Sequence, residues 1–115
     1  MSDISELTKK ILKFRNDRNW KQFHNAKDLA IDISLEASEV LEHFLWKNKK
    51  EVTAHIKKHK KEISEELADV FVNVLIMSHD LNIDIKDAVE KKLKKNEKKY
   101  PVEKSKGRHE KYNEL

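Results

Sequence analysis

Cysteine is absent from the sequence, and glycine and proline occur once each, as Gly107 and Pro101. Without thiols there is no disulfide frame, thiolate zinc site, iron–sulfur cluster or cysteine nucleophile. Tight hairpins and βα turns depend on Gly, Pro or Asn-Gly punctuation. A sandwich, a barrel and a Rossmann domain are therefore excluded, and with them Gly-rich phosphate loops and dinucleotide fingerprints. No apolar run approaches the ~18 residues of a membrane span. The stretch Met1–Lys10 lacks the apolar region of a secretion signal. The expectation is a cytoplasmic protein with no membrane partner.

What the chain has in quantity is charge, 40% of its 115 residues with a net of +4. Residues 1–46 carry 7 basic and 8 acidic side chains, whereas residues 47–115 carry 18 and 13. The second half should attract anions, and nucleic acid, free nucleotides and acidic proteins are all candidates on charge alone. The length suits one domain with a small core.

Apolar residues recur at helical spacing throughout. Ile4, Leu7, Ile11 and Phe14 mark a first helix over about residues 3–18. Residues 16–27 break the period but embed Trp20, Phe23 and His24. Solvated loops rarely carry large aromatics, so Trp20 and Phe23 are expected either to plug the end of a bundle or to bind a ligand. A second helix should run over about residues 26–46 behind an Asn25 cap, with Leu29, Ile33, Val40 and Phe44 inward. After a break at 48–50 come a short basic helix with Val52 and Ile56, and then a helix over about 62–81. Asp84 caps a last helix that ends before Pro101. Residues 101–115 read as a polar tail. The fold class is all-α, a four-helix-bundle-like domain over residues 1–115 with short extra helices. Ile31, Val72 and Ile76 fall outside the main stripes and imply burial in an oligomer.

Four acidic residues do not fit a simple amphipathic pattern. Glu36 falls in the apolar stripe of the second helix, with Glu39 three residues on. Glu66 and Asp69 repeat that spacing beside Ile63, Leu67 and Val70. Residues three apart share a helix face, so packing of the two helices would bring four carboxylates into a largely apolar interior. Each would lose several kcal/mol of effective solvation unless it stayed protonated or met a cation. An all-oxygen donor set suits Mg²⁺, or Mn²⁺. A di-iron bundle would want Glu-x-x-His on two helices. No histidine here follows a Glu by three, although His43 follows Glu39 by four. Histidines other than His24 are read as ordinary.

At these residues the chain resembles the MazG-like all-α nucleotide pyrophosphohydrolases, which carry E-x-x-E on one helix and E-x-x-D on a later one. It is most similar to the dCTP pyrophosphatase branch. Asn19-Trp20-Lys21-Gln22-Phe23-His24 with Lys27-Asp28-Leu29 is close to D-W-x-x-F-H…N-L, and Phe44-Leu45-Trp46 is close to F-Q-W. Lys92, Asn96, Lys99, Tyr100 and Pro101 match K-x-x-x-N-x-x-(K/R)-Y-P. Asn19, Asp28 and Asn73 depart from the branch pattern.

The resemblance implies hydrolysis of a nucleoside triphosphate, dCTP or a related pyrimidine nucleotide, to the monophosphate and pyrophosphate. It implies Mg²⁺ or Mn²⁺ on Glu36, Glu39, Glu66 and Asp69, which would also be the catalytic residues, and a homodimer or homotetramer. Substrate contacts would come from Trp20, His24, Trp46, Lys92, Asn96, Lys99 and Tyr100. Trp20 and Trp46 would flank the base. Asn73, within an apolar run, would line the site or bond across a subunit interface.

Two other readings compete. Residues 86–111 carry 11 basic and 5 acidic side chains, which suits a helical nucleic-acid binder. A structural or antitoxin-like helical partner is the third. Neither accounts for acids on apolar faces, and nucleic acid is not the expected partner.

Overall fold

The acid-bearing helices form an antiparallel pair, and the rest of the first half of the chain is arranged around them. The computed structural model describes residues 3–115. Five helices are found there and no strand: α1 (Asp3–Asp17), α2 (Ala26–Glu42), α3 (Lys49–Asp80), α4 (Ile85–Lys99) and the single-turn α5 (Val102–Ser105). The 3₁₀ turns Lys21–Phe23 and Tyr112–Glu114 complete the order. The all-α expectation holds.

Local signals set the helix starts. The Asn25 side chain accepts from Asp28 N at 2.9 Å and caps α2. Asn48 and Glu51 form a reciprocal capping box at the start of α3. Asp84 accepts from Asp87 N at 3.1 Å ahead of α4. Caps of this kind contribute about 1 kcal/mol each.

Two boundaries differ from the sequence reading. The expected break between a basic helix and the next is a kink at His59 (φ −119°, ψ 26°) inside one long α3. The second helix stops at Glu42 rather than reaching Trp46. Beyond it the chain turns, and Trp46 takes φ +62°, a left-handed conformation that glycine or asparagine usually fills. No glycine marks this end in the sequence.

The chain divides into two compact units, one reaching to Asn82 and the other Ile83–Leu115. In the first, α2 and α1 both pack on α3. The core sits where the start of α2 meets the end of α3. Leu29 and Leu75 are 1% exposed there and Ile76 is 6% exposed. Burial of each such side chain contributes roughly 1.5–3 kcal/mol. Ile76 was expected at an oligomer contact and is instead core, on the helix against which both α1 and α2 pack. Phe23 is 65% exposed and plugs no bundle end, which leaves the ligand-binding alternative for it. Trp20 is partly covered, edge-on to Phe14 at 5.7 Å. Away from this core, Ile31, Leu35, Leu41, Leu67 and Phe71 remain exposed along α2 and α3.

In the second unit, residues 101–115 are more ordered than a tail. Tyr112 meets Tyr100 edge-on at 6.1 Å, and Lys99 Nζ lies 4.8 Å over the Tyr112 ring.

Candidate active site

Helix pairing brings Glu36 and Glu39 of α2 towards Asp69 of α3. Glu36 is half-buried, and its Oε2 is enclosed without a hydrogen-bond partner. Burial raises its pKa first. A side-chain hydrogen bond with Glu39 and the negative charges of Glu39, Asp69 and Asp32 raise it further. Asp32 was absent from the expected set, although its place one turn before Glu36 is the signal that could have found it. Glu39 and Asp69 are exposed.

Glu66, one turn before Asp69, is half-buried and faces His43 at the end of α2. His43 Nε2 contacts Glu66 Oε2, and His43 Nδ1 lies 2.7 Å from His55 Nε2. His43 and His55 were read as ordinary, because no periodicity in the sequence shows that α3 kinks. Burial, followed by the charges of His59, Lys47 and His43, lowers the pKa of His55 against the opposing charge of Glu62.

Among the described residues, no three His, Asp or Glu side chains are gathered around one point as a ready metal shell. The donor chemistry still fits a hard cation. The four acids offer only oxygen, and the orphaned Glu36 Oε2 is an enclosed acceptor with nothing to accept from.

The other expected site residues are spread more widely. His24 Nδ1 lies 3.4 Å from Arg15 Nη1. His24 also lines a cavity of about 400 Å³ with Lys21, Asn25, His79 and Asp80. Trp46 is 97% exposed. Trp20 and Trp46 lie beyond opposite ends of α2, whose 17 residues span about 25 Å. Asn73 is half-buried on α3, one turn beyond Asp69. Lys92 and Asn96 lie on α4 in the second unit, Asn96 half-buried and Lys92 exposed. Lys99 and Tyr100 there have Tyr112 as a structural partner.

Residues 31–115, which take in all four acids, match the MazG-like family. The chain belongs to the MazG-like family. A pyrophosphatase from Archaeoglobus fulgidus has the same fold, with a TM-score of 0.83 and 36% identity over 88% of this chain and 94% of that one. The chain is 32% identical over 105 residues to dCTP pyrophosphatase 1 of Mus musculus. It is 29% identical over the same length to the Homo sapiens protein of that name. These stretches cover 90% of this chain but 62% of the length of those relatives. Glu36-x-x-Glu39 lies on α2 and Glu66-x-x-Asp69 on α3, both within the matched residues.

Proposed function

We propose that this MazG-like protein hydrolyses a nucleoside triphosphate to the monophosphate and pyrophosphate. The observation that carries the reading is the meeting of Glu36, Glu39 and Asp69, with an enclosed and unpartnered Glu36 oxygen, in a chain whose relatives are named pyrophosphatases.

Glu36, Glu39, Glu66 and Asp69 would hold Mg²⁺, or Mn²⁺, which supplies charge neutralisation at phosphoryl oxygens and acidifies water. A bound cation would favour the ionised form of Glu36 against the burial and neighbouring charges that raise its pKa. Glu39, exposed and beside Glu36, is the acid placed to orient or deprotonate the attacking water. Lys92 and Asn96 on α4 supply phosphate or sugar contacts, with Lys99 and Tyr100 at the end of the same helix. Trp20, His24 and Trp46 serve the base. The similarity to proteins named for dCTP supports a pyrimidine deoxynucleotide, with relaxed discrimination because Asn19, Asp28 and Asn73 depart from the branch pattern. The apolar side chains left open on α2 and α3 support a homodimer or homotetramer.

Pyrophosphate release from a panel of triphosphates, with Mg²⁺ and with excess chelator, tests the proposal. Turnover that needs the cation and is fastest on dCTP or a related pyrimidine is expected. No release from any triphosphate overturns the reaction. Full turnover in chelator overturns the cation role alone.

A further inference from the structure

A cavity opens at one end of the α2–α3 pair, away from the four acids. It holds about 400 Å³, and its wall includes Lys21, His24, Leu29, Met77, His79 and Asp80. Apolar side chains with a few polar groups, in a space of that size, suit a small planar ligand. Leu29 precedes Glu36 by seven residues on α2, and Met77 follows Asp69 by eight on α3. At 1.5 Å per residue the two helices place the cavity about 10 and 12 Å from the acids. A nucleotide spans that distance between its α-phosphorus and the far edge of its base.

Asp80 brings a carboxylate to this wall. Both of its oxygens accept from Arg15, at 2.8 and 3.1 Å, and the guanidinium is itself 3% exposed. The grip fixes the carboxylate plane, and the hydrogen bond favours the ionised form. A carboxylate has about four lone-pair sites, so each oxygen keeps one to spare, and the Asp80 side chain is still 21% exposed. The Lys21 ammonium, whose charge acts on Asp80, supplies a donor on the same wall. A fixed acceptor with a donor near it complements the edge of cytosine, where the 4-amino group donates and ring N3 accepts. Uracil reverses both, with O4 accepting and N3–H donating.

We propose that Asp80 is the specificity-determining residue of a base pocket, accepting a hydrogen bond from the 4-amino group of cytosine, with Arg15 as its positioning residue. This rests on the reading of the chain as a nucleoside triphosphate hydrolase. The cavity takes the edge of the base, and stacking is left to the indoles. A hydrogen bond to a charged acceptor discriminates roughly 10- to 100-fold against a partner that lacks the donor.

The test compares kcat/KM for dCTP and dUTP, which differ at that edge alone, in wild type and Asp80→Asn. Wild type should favour dCTP by roughly 10- to 100-fold. In the variant the amide oxygen stays with Arg15 and the amide nitrogen, a donor, meets the base. The preference should then vanish or reverse. A purely structural loss would lower both rates and leave their ratio alone. An unchanged ratio overturns the proposal, and so does a wild type indifferent to the two substrates, while the reaction itself stands in both cases. Should Asp80→Asn fail to fold, nuclear magnetic resonance of wild type in excess chelator decides. Deoxycytidine should shift the Met77 methyl and the His24 and His79 ring signals at concentrations where deoxyuridine does not. Equal shifts with both nucleosides, or none with either, overturn the base pocket. Shifts selective for deoxycytidine in a chain that releases no pyrophosphate would support the pocket while the proposed reaction falls.

Discussion

Arg15 grips Asp80 with both terminal nitrogens, Nη1 to Oδ2 at 2.8 Å and Nη2 to Oδ1 at 3.1 Å, across 65 residues of sequence. The guanidinium is 3% exposed, so this planar fork ties α1 to the last residue of α3 away from water. Asp80→Asn leaves a buried charge without its counter-charge and should destabilise the fold by roughly 3–5 kcal/mol at neutral pH. The hydrogen bond from Arg15, ahead of its charge, holds the Asp80 pKa below its ordinary 3.8 against the opposing effect of burial. A lowered carboxylate stabilises above its unfolded value and loses that contribution as pH falls through the folded one. Urea melts of wild type and variant should therefore differ most at neutral pH and converge well below pH 3.8. Equal midpoints at pH 7 would show that the pair contributes nothing.

Glu36 has the opposite sign. Its folded pKa is raised above 4.5, so its contribution is present below 4.5 and lost as pH rises through the folded value. In chelator, Glu36→Gln should melt higher than wild type at neutral pH, and the two should approach each other near pH 4.5. Pyrophosphate release by the variant should fall by orders of magnitude. A variant with near-normal turnover removes Glu36 from the site.

The contrast between these two acids shows what was legible in the sequence. Glu36 stood out because it interrupts a stripe of Leu29, Ile33 and Val40 within its own helix. The caps at Asn25 and Asp84 were equally local, an Asx side chain bonding three residues ahead. Asp80 gave no signal, since its partner lies 65 residues away. The kink at His59 and the early end of α2 were hidden for a related reason. Neither carries a proline or glycine to mark it in the sequence. Ile76 went astray because tertiary packing on α3, and not periodicity alone, decides which flanking apolar residue is covered.

Trp46 can be tested with little disturbance of the fold, because its indole is 97% exposed. Trp46→Ala should leave the melting temperature nearly unchanged. It should raise the KM for the best triphosphate roughly 10- to 100-fold, matching stacking worth about 1–3 kcal/mol. The kcat should change less, since the ring is assigned to the base and not to the reacting phosphorus. An unaltered KM would leave the left-handed Trp46 without a substrate role.

The separation of Trp20 from Trp46 makes a prediction about assembly. Trp20 precedes α2 and Trp46 follows it, with a helix of about 25 Å between them, so a base stacked by both indoles is expected to take them from two copies of the chain. Exposed Ile31, Leu35 and Leu41 on α2 offer the apolar surface for such pairing. Sedimentation at micromolar concentration should accordingly show a dimer or larger species, and a 13.7 kDa monomer would refute the shared site. Trp20→Ala and Trp46→Ala should each raise KM alone. Mixed and allowed to exchange subunits, they form hybrids in which one site has lost both indoles and the other has regained both. A fraction of the activity should then return with wild-type KM. Mixing that restores nothing, in a preparation shown to have exchanged, would mean that the two tryptophans never serve one base.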